Sequence, residues 1–240
     1  MLAAMLRRPV ALLVVALTGA LVGCRGTAAR GPDAADPDAP EVDAAPEVDA
    51  APDGPRGTPD LQLVEGDMRR YRVAPTLIEA GHCAVVEGCV SGTGWRSLLR
   101  FPTVTVNRGT GDLELPPLPG AENSDANYEW SPCHKHHHFK GYTRYELVGR
   151  QGVVVTGRKQ SFCVADMKQI DPGGHQHFEC TSQGLTRGWA DVYDWDVDCQ
   201  WIDVTSVPPG MYTLRVIVNP DDLLPDSDPT NNVFTMPVAL

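Results

Sequence analysis

Along residues 60–240, apolar and polar positions alternate in short runs, broken by Gly or Pro about every 8 to 15 residues. No long stretch carries the i, i+3, i+4 apolar spacing of an amphipathic helix. Period-two runs read as strands: WRSLLRFPTVTVNRG (95–109), YTRYELV (142–148), GVVVTGR (152–158), QSFCVAD (160–166), CQWIDVT (199–205) and MYTLRVIVNP (211–220). Several place β-branched or aromatic residues on one face. The pattern predicts a mainly β domain, two sheets packed as a β-sandwich, with long loops and few short helices.

The first 59 residues break this pattern. Arg7 and Arg8 precede a short apolar run, Pro9 to Val22, below the ~20 residues that span a bilayer. This is the layout of a signal peptide over 1–23. It ends in Leu21-Val22-Gly23-Cys24, which resembles the bacterial lipobox. That resemblance implies cleavage before Cys24 and its lipidation. Arg25 stands where the inner-membrane retention signal has Asp, so an outer-membrane anchor is expected, facing periplasm or cell surface. An ordinary secretory signal with a chance cysteine is the alternative. Residues 24–59 are rich in Ala, Pro and Asp, and Ala-Pro-Glu-Val-Asp-Ala occurs in tandem from Ala39 and Ala45. Such a segment buries too little surface to offset its chain entropy and reads as an extended tether.

Charge narrows the partners. The signal region carries +2 and residues 25–59 carry −5 of the formal −11, which leaves −8 for residues 60–240. That sign disfavours nucleic acid and favours cationic substrates. Residues 60–240 hold six cysteines: Cys83, Cys89, Cys133, Cys163, Cys180 and Cys199. An even number in an exported chain argues for three disulfides, and spacing alone leaves all fifteen pairings open.

Four of the seven histidines fall within CHKHHHF (133–139). On a strand, His134, His136 and His138 share one face and His137 points to the other. Three neutral imidazoles suit Cu(II), Zn(II) or Ni(II), and copper binds such a set most tightly. A solvated polar strand is the competing reading. A zinc hydrolase is disfavoured by the lack of a motif such as HExxH.

The surrounding sequence is more specific. YEWSPCHKHHHFKGYTRYELV resembles the copper-binding segment of the lysyl oxidase family. PDL at Pro59, HCAVVEGC, LLRFPTVTVNRGTGD, GRKQSFCVAD, QGLTRG, DVDCQWIDVTSVPPGMYTLRVIVNP and LLPDSDPTNNV resemble that family's blocks, in its order. The resemblance implies a copper amine oxidase whose quinone, lysine tyrosylquinone, is made from Lys159 and Tyr193. Oxidation of the Tyr193 ring gives the quinone, and the neutral amine of Lys159 adds to it. A primary amine, free or on a protein lysine, is then expected to become an aldehyde by hydrolysis, with release of ammonia, while dioxygen reoxidises the cofactor and leaves as hydrogen peroxide. Asp196 and Asp198, close to Tyr193 in sequence, are candidates for the base. A copper- or zinc-binding surface lipoprotein without enzymatic activity is the alternative on the same fold.

Three further expectations follow from the resemblance. Ser131 stands where animal members carry an additional histidine. A structural calcium is implied at Asp60, the Leu61 carbonyl, Asp226, Asp228, Asn231 and Asn232, oxygen donors of the type this ion takes; a polar turn is the plainer alternative. Animal members also carry two cysteines at places matching Gln169 and Trp189. Their joint absence implies the bridges Cys83–Cys133, Cys89–Cys199 and Cys163–Cys180. The rival scheme is Cys83–Cys89, Cys133–Cys180 and Cys163–Cys199.

Overall fold

The computed structural model describes residues 57–157 and 162–240. Cys24, Lys159, the signal region and the tether up to residue 56 lie outside the described residues. The strands in chain order are β1 (Leu61–Leu63), β2 (Arg72–Ile78), β3 (Gly94–Arg100), β4 (Thr103–Asn107), β5 (Leu113–Glu114), β6 (Tyr128–Ser131), β7 (His136–Phe139) and β8 (Thr143–Gly149). They continue as β9 (Gly152–Thr156), β10 (Lys168–Gln169), β11 (Gly184–Leu185), β12 (Trp189–Tyr193), β13 (Trp201–Asp203), β14 (Met211–Val218) and β15 (Val233–Ala239). The α-helices among the described residues are single turns, α1 (Glu65–Met68) and α2 (Cys83–Val86). The chain is mainly β, as the alternation predicts.

The strands divide into two four-stranded sheets, β1-β4-β12-β10 and β15-β14-β8-β9, and three smaller ones, β13-β3-β2, β5-β11 and β6-β7. Strand pairs are antiparallel throughout. One core joins the two larger sheets: Leu61, Val104, Val106 and Ala190 from the first meet Tyr145, Leu147, Leu214, Val216, Phe234 and Met236 from the second. In β14 and β15 every second side chain is buried over most of the strand, the pattern of a sheet with one face on the core. Strand β4 is buried on both faces, which requires its polar side chains to find partners. Asn107 does so by donating to the carbonyls of Gly111 and Leu185. Thr103 accepts from Gln200, which also donates to the Phe101 carbonyl and accepts from the Tyr145 hydroxyl.

Two predicted strands differ. The run 95–109 is two strands, β3 and β4, in different sheets. Phe101 and Pro102 separate them, and Pro102 has no N–H to give to a ladder. Residues 162–166 form no strand, because their backbone groups bond elsewhere. Phe162 exchanges hydrogen bonds with Phe139, and Val164 N–H donates to the Gln183 side chain. Asp166 N–H donates to Phe178 O, and Val164 O accepts from Gly184 N–H.

Three disulfides close the chain on itself: Cys83–Cys133, Cys89–Cys199 and Cys163–Cys180. These are the pairs the resemblance implies, and the rival scheme is not found. Gln169 and Trp189 are direct cross-strand partners between β10 and β12.

Candidate active site

The histidine run divides by local backbone. Strand β7 begins at His136, not at His134. His134 sits in the turn of the β6–β7 hairpin, and Lys135 takes φ +61°, a left-handed conformation that reverses the chain. His136 and His138 leave one face of β7, as period two requires. His134 is brought to the same side by the turn rather than by strand alternation. One ring nitrogen from each of the three lies within 4.8 Å of the others. The Nε2 atoms of His136 and His138 are 3.1 Å apart.

His137 faces the opposite way and is buried. Its Nε2 lies 3.0 Å from the Asn123 carbonyl, and its ring packs edge-on to Trp130 at 5.0 Å and to Tyr128 at 6.3 Å. It belongs to the hairpin's packing, as the expected split between faces requires.

Glu87, which sequence reasoning passed over, fixes the turn. Its Oε1 is 3.1 Å from His134 Nδ1 and accepts from the Ser131 hydroxyl. Ser131 Oγ in turn accepts from His134 N–H at 3.0 Å. With Nδ1 donating to the carboxylate, the lone pair of His134 is on Nε2, available to a metal. Ser131 therefore serves as a polar link between Glu87 and the His134 backbone. Glu87 lies just beyond α2, between Cys83 and Cys89, whose bridges run to Cys133 and Cys199.

Behind the histidines, Gln183 Nε2 donates to the His137 carbonyl at 2.6 Å, while its Oε1 accepts from Val164 N–H. This ties β7 to the Cys163–Cys180 segment. Asp166, buried, holds the same segment by accepting from His177 N–H, Phe178 N–H, Thr186 N–H and the Thr186 hydroxyl.

Tyr193 ends β12 opposite Thr103 of β4. Its ring lies 4.3 Å from that of Phe162, centroid to centroid, and its hydroxyl donates to the Cys163 carbonyl. Burial, followed by the charge of Asp191, pushes the phenol well above its ordinary value. Asp191 is two residues earlier on the same strand face and is 1 % exposed. Burial raises its carboxyl well above the usual carboxylate range, although polar neighbours at Tyr193, Ala165 and Val192 act the other way.

These groups share one cavity of about 220 Å³, lined by His134, His136, His138, Tyr193, Asp191 and the apolar side chains between them. Asp198 also lines this cavity; Asp196 does not. The acidic turn near the C-terminus is gathered as well. Asp226 Oδ1 accepts from Leu61 N–H, Asn231 Nδ2 donates to Asp60, and Asn232 Nδ2 donates to Asp226. Among the described residues, the carboxylates of Asp60, Asp226 and Asp228 do not come together as closely as the histidine trio.

Fold and site together define a mainly β, disulfide-closed protein with three histidines gathered closely enough to hold a metal ion, opening on a half-buried tyrosine. The family model described as lysyl oxidase matches residues 74–239, and the chain belongs to that family. Protein-lysine 6-oxidase of Sus scrofa is 42% identical over 165 residues, 63% of this chain and 64% of that protein. The Homo sapiens protein of the same name is 43% identical over 165 residues, covering 63% and 38%. Lysyl oxidase homolog 1 of Homo sapiens is 39% identical over 199 residues, covering 74% and 32%. The match thus spans less than two thirds of the length of each of these relatives.

Proposed function

We propose that this chain is a copper-dependent amine oxidase that converts primary amines, protein lysine side chains among them, to aldehydes. The observation that carries the reading is that the histidine trio and Tyr193 line a single cavity. Three imidazole nitrogens within 4.8 Å of one another fit a copper ion in number, type and spacing. His134, His136 and His138 would hold it, and Tyr193 with Lys159 would supply the quinone. When bound, copper and the quinone would supply the two-electron oxidation of the amine, with dioxygen as the terminal oxidant and water as the source of the aldehyde oxygen, and ammonia and hydrogen peroxide as the other products.

The protein's own contribution is orientation and exclusion of water. Glu87 and Ser131 hold His134, Gln183 holds the backbone of β7, and the Cys163 carbonyl holds the Tyr193 hydroxyl. Phe162, Ala165, Met167, Val192 and Val197 give the cavity apolar walls that suit an aliphatic amine. The −8 charge of residues 60–240 attracts cationic substrates.

The same reading includes lipidation at Cys24, with residues 24–59 tethering the domain to the outer membrane. It also includes a structural calcium at Asp60, the Leu61 carbonyl, Asp226, Asp228, Asn231 and Asn232. The side-chain oxygens of Asn231 and Asn232 are buried without a hydrogen-bond partner, which supports a cation there.

Copper loading under air tests the function. A visible quinone absorbance that phenylhydrazine abolishes is expected. Copper that binds at full stoichiometry without this absorbance would return the protein to the alternative, a metal-binding surface lipoprotein without enzymatic activity.

A further inference from the structure

The cavity beside the histidines has apolar walls and a buried carboxylate. Asp191 lines it, and its Oδ2 is buried with no hydrogen-bond partner among the described residues. Leaving a buried carboxylate oxygen unpaired is unfavourable, and a native structure keeps such a group where something else completes it. The region's other buried carboxylate offers a contrast. Both Asp166 oxygens accept, from three backbone N–H groups and a hydroxyl, so its role is structural, whereas Asp191 has hydrogen-bonding neighbours at Tyr193, Ala165 and Val192 but leaves Oδ2 without a partner. Asp198, the other acid on the cavity wall, is half-buried and keeps contact with solvent.

We propose that Asp191 receives the cationic end of the substrate. Its Oδ2 accepts an N–H of an alkylammonium whose chain lies along Phe162, Ala165, Met167, Val192 and Val197, and it then takes one proton from that group. The inference rests on the amine-oxidase reading and adds the group that binds and deprotonates the amine. The step balances without electron transfer: one N–H bond breaks, one O–H bond forms on Asp191, and the nitrogen keeps the electron pair. Only the uncharged amine has a lone pair with which to attack a carbonyl carbon.

The surroundings favour this transfer. Burial moves the Asp191 carboxyl upward, toward the range of an alkylammonium, which reduces the free-energy gap between donor and acceptor. An incoming cation offsets the burial penalty on the ionised carboxylate. At about 220 Å³ the cavity is below the ~300–1,000 Å³ of drug-sized sites, so it suits an unbranched side chain.

The test uses the full-length chain without metal, so that no turnover occurs. Binding of n-butylammonium chloride and of n-butanol is measured by ligand-observed NMR on the wild-type protein and on Asp191→Asn. The variant should bind butylammonium at least about tenfold more weakly, the loss expected for a hydrogen bond to a charged group. Its butanol affinity should not change. Equal butylammonium affinity for the two proteins overturns the proposal. If the variant does not fold, the wild type still decides the matter. With 13C-labelled aspartate, the Asp191 carboxyl resonance should move on adding butylammonium and not on adding butanol, and a resonance that stays put overturns the proposal.

Phenylhydrazine on the copper-loaded proteins separates this inference from the reading beneath it. As an uncharged nucleophile it needs no proton removed, so labelling of the wild type reports the quinone independently of Asp191. Labelling absent from the wild type sinks the oxidase reading itself, whatever butylammonium does.

Discussion

Glu87 Oε1 stands 3.1 Å from Nδ1 of His134. A carboxylate on the far nitrogen of a metal-binding imidazole fixes its tautomer and ring angle and raises its basicity. His134 needs this more than its two companions do, because it sits in a turn while His136 and His138 are held by a strand. Replacing Glu87 with Gln should weaken copper binding by about 10–100-fold, the range for such outer-shell partners. Equilibrium dialysis against a copper buffer measures it, and unchanged affinity would mean the hairpin alone positions the ring.

Copper content should separate the four histidines. His134→Ala, His136→Ala and His138→Ala should each lose bound copper. His137→Ala should keep it and instead lose about 1–3 kcal/mol of stability, since it removes a buried ring packed on Trp130 and that ring's contact with the Asn123 carbonyl. Copper loss in His137→Ala equal to that in His136→Ala would contradict the division of faces.

Quinone formation should require both cofactor residues. Tyr193→Phe lacks the ring oxygen, and Lys159→Ala lacks the amine. Each should bind copper normally, show no phenylhydrazine-sensitive absorbance and release no peroxide from butylamine. Full peroxide release by either variant would remove lysine tyrosylquinone from the account.

The stability of the metal-free chain should carry a signature of Asp191. Burial raises its carboxyl in the folded state, so the native protein retains a proton that the unfolded chain releases. Its contribution to stability therefore falls as pH rises from the ordinary carboxylate value toward the raised one. Asp191→Asn removes this fall. The variant's melting temperature should exceed that of wild type at pH 8, and the difference should shrink toward pH 4. A difference that grows toward low pH would show that Asp191 is held ionised.

The sequence by itself determined the mainly β class, because period two is a local property of the chain. Strands β8, β9 and β14 lie where alternation places them. The facing of His136 and His138 against His137 is legible for the same reason, since neighbours on a strand leave opposite faces. Lys159 and Tyr193 were legible through resemblance alone, and Lys159 lies outside the described residues. Tertiary structure decided what depends on groups far apart in the chain. Phe101 and Pro102 split one apolar run between two sheets. His134 joins its companions through a left-handed residue at Lys135, which no apolar pattern encodes. Glu87 reaches His134 because α2 is bridged to the histidine hairpin by Cys83–Cys133, and pairings of this kind are set by the folded path rather than by spacing. Asp191 reads in the sequence as one acid among several near Tyr193. It becomes distinct only when the strands around β12 close over it, because removal from water is what changes the chemistry of a carboxylate.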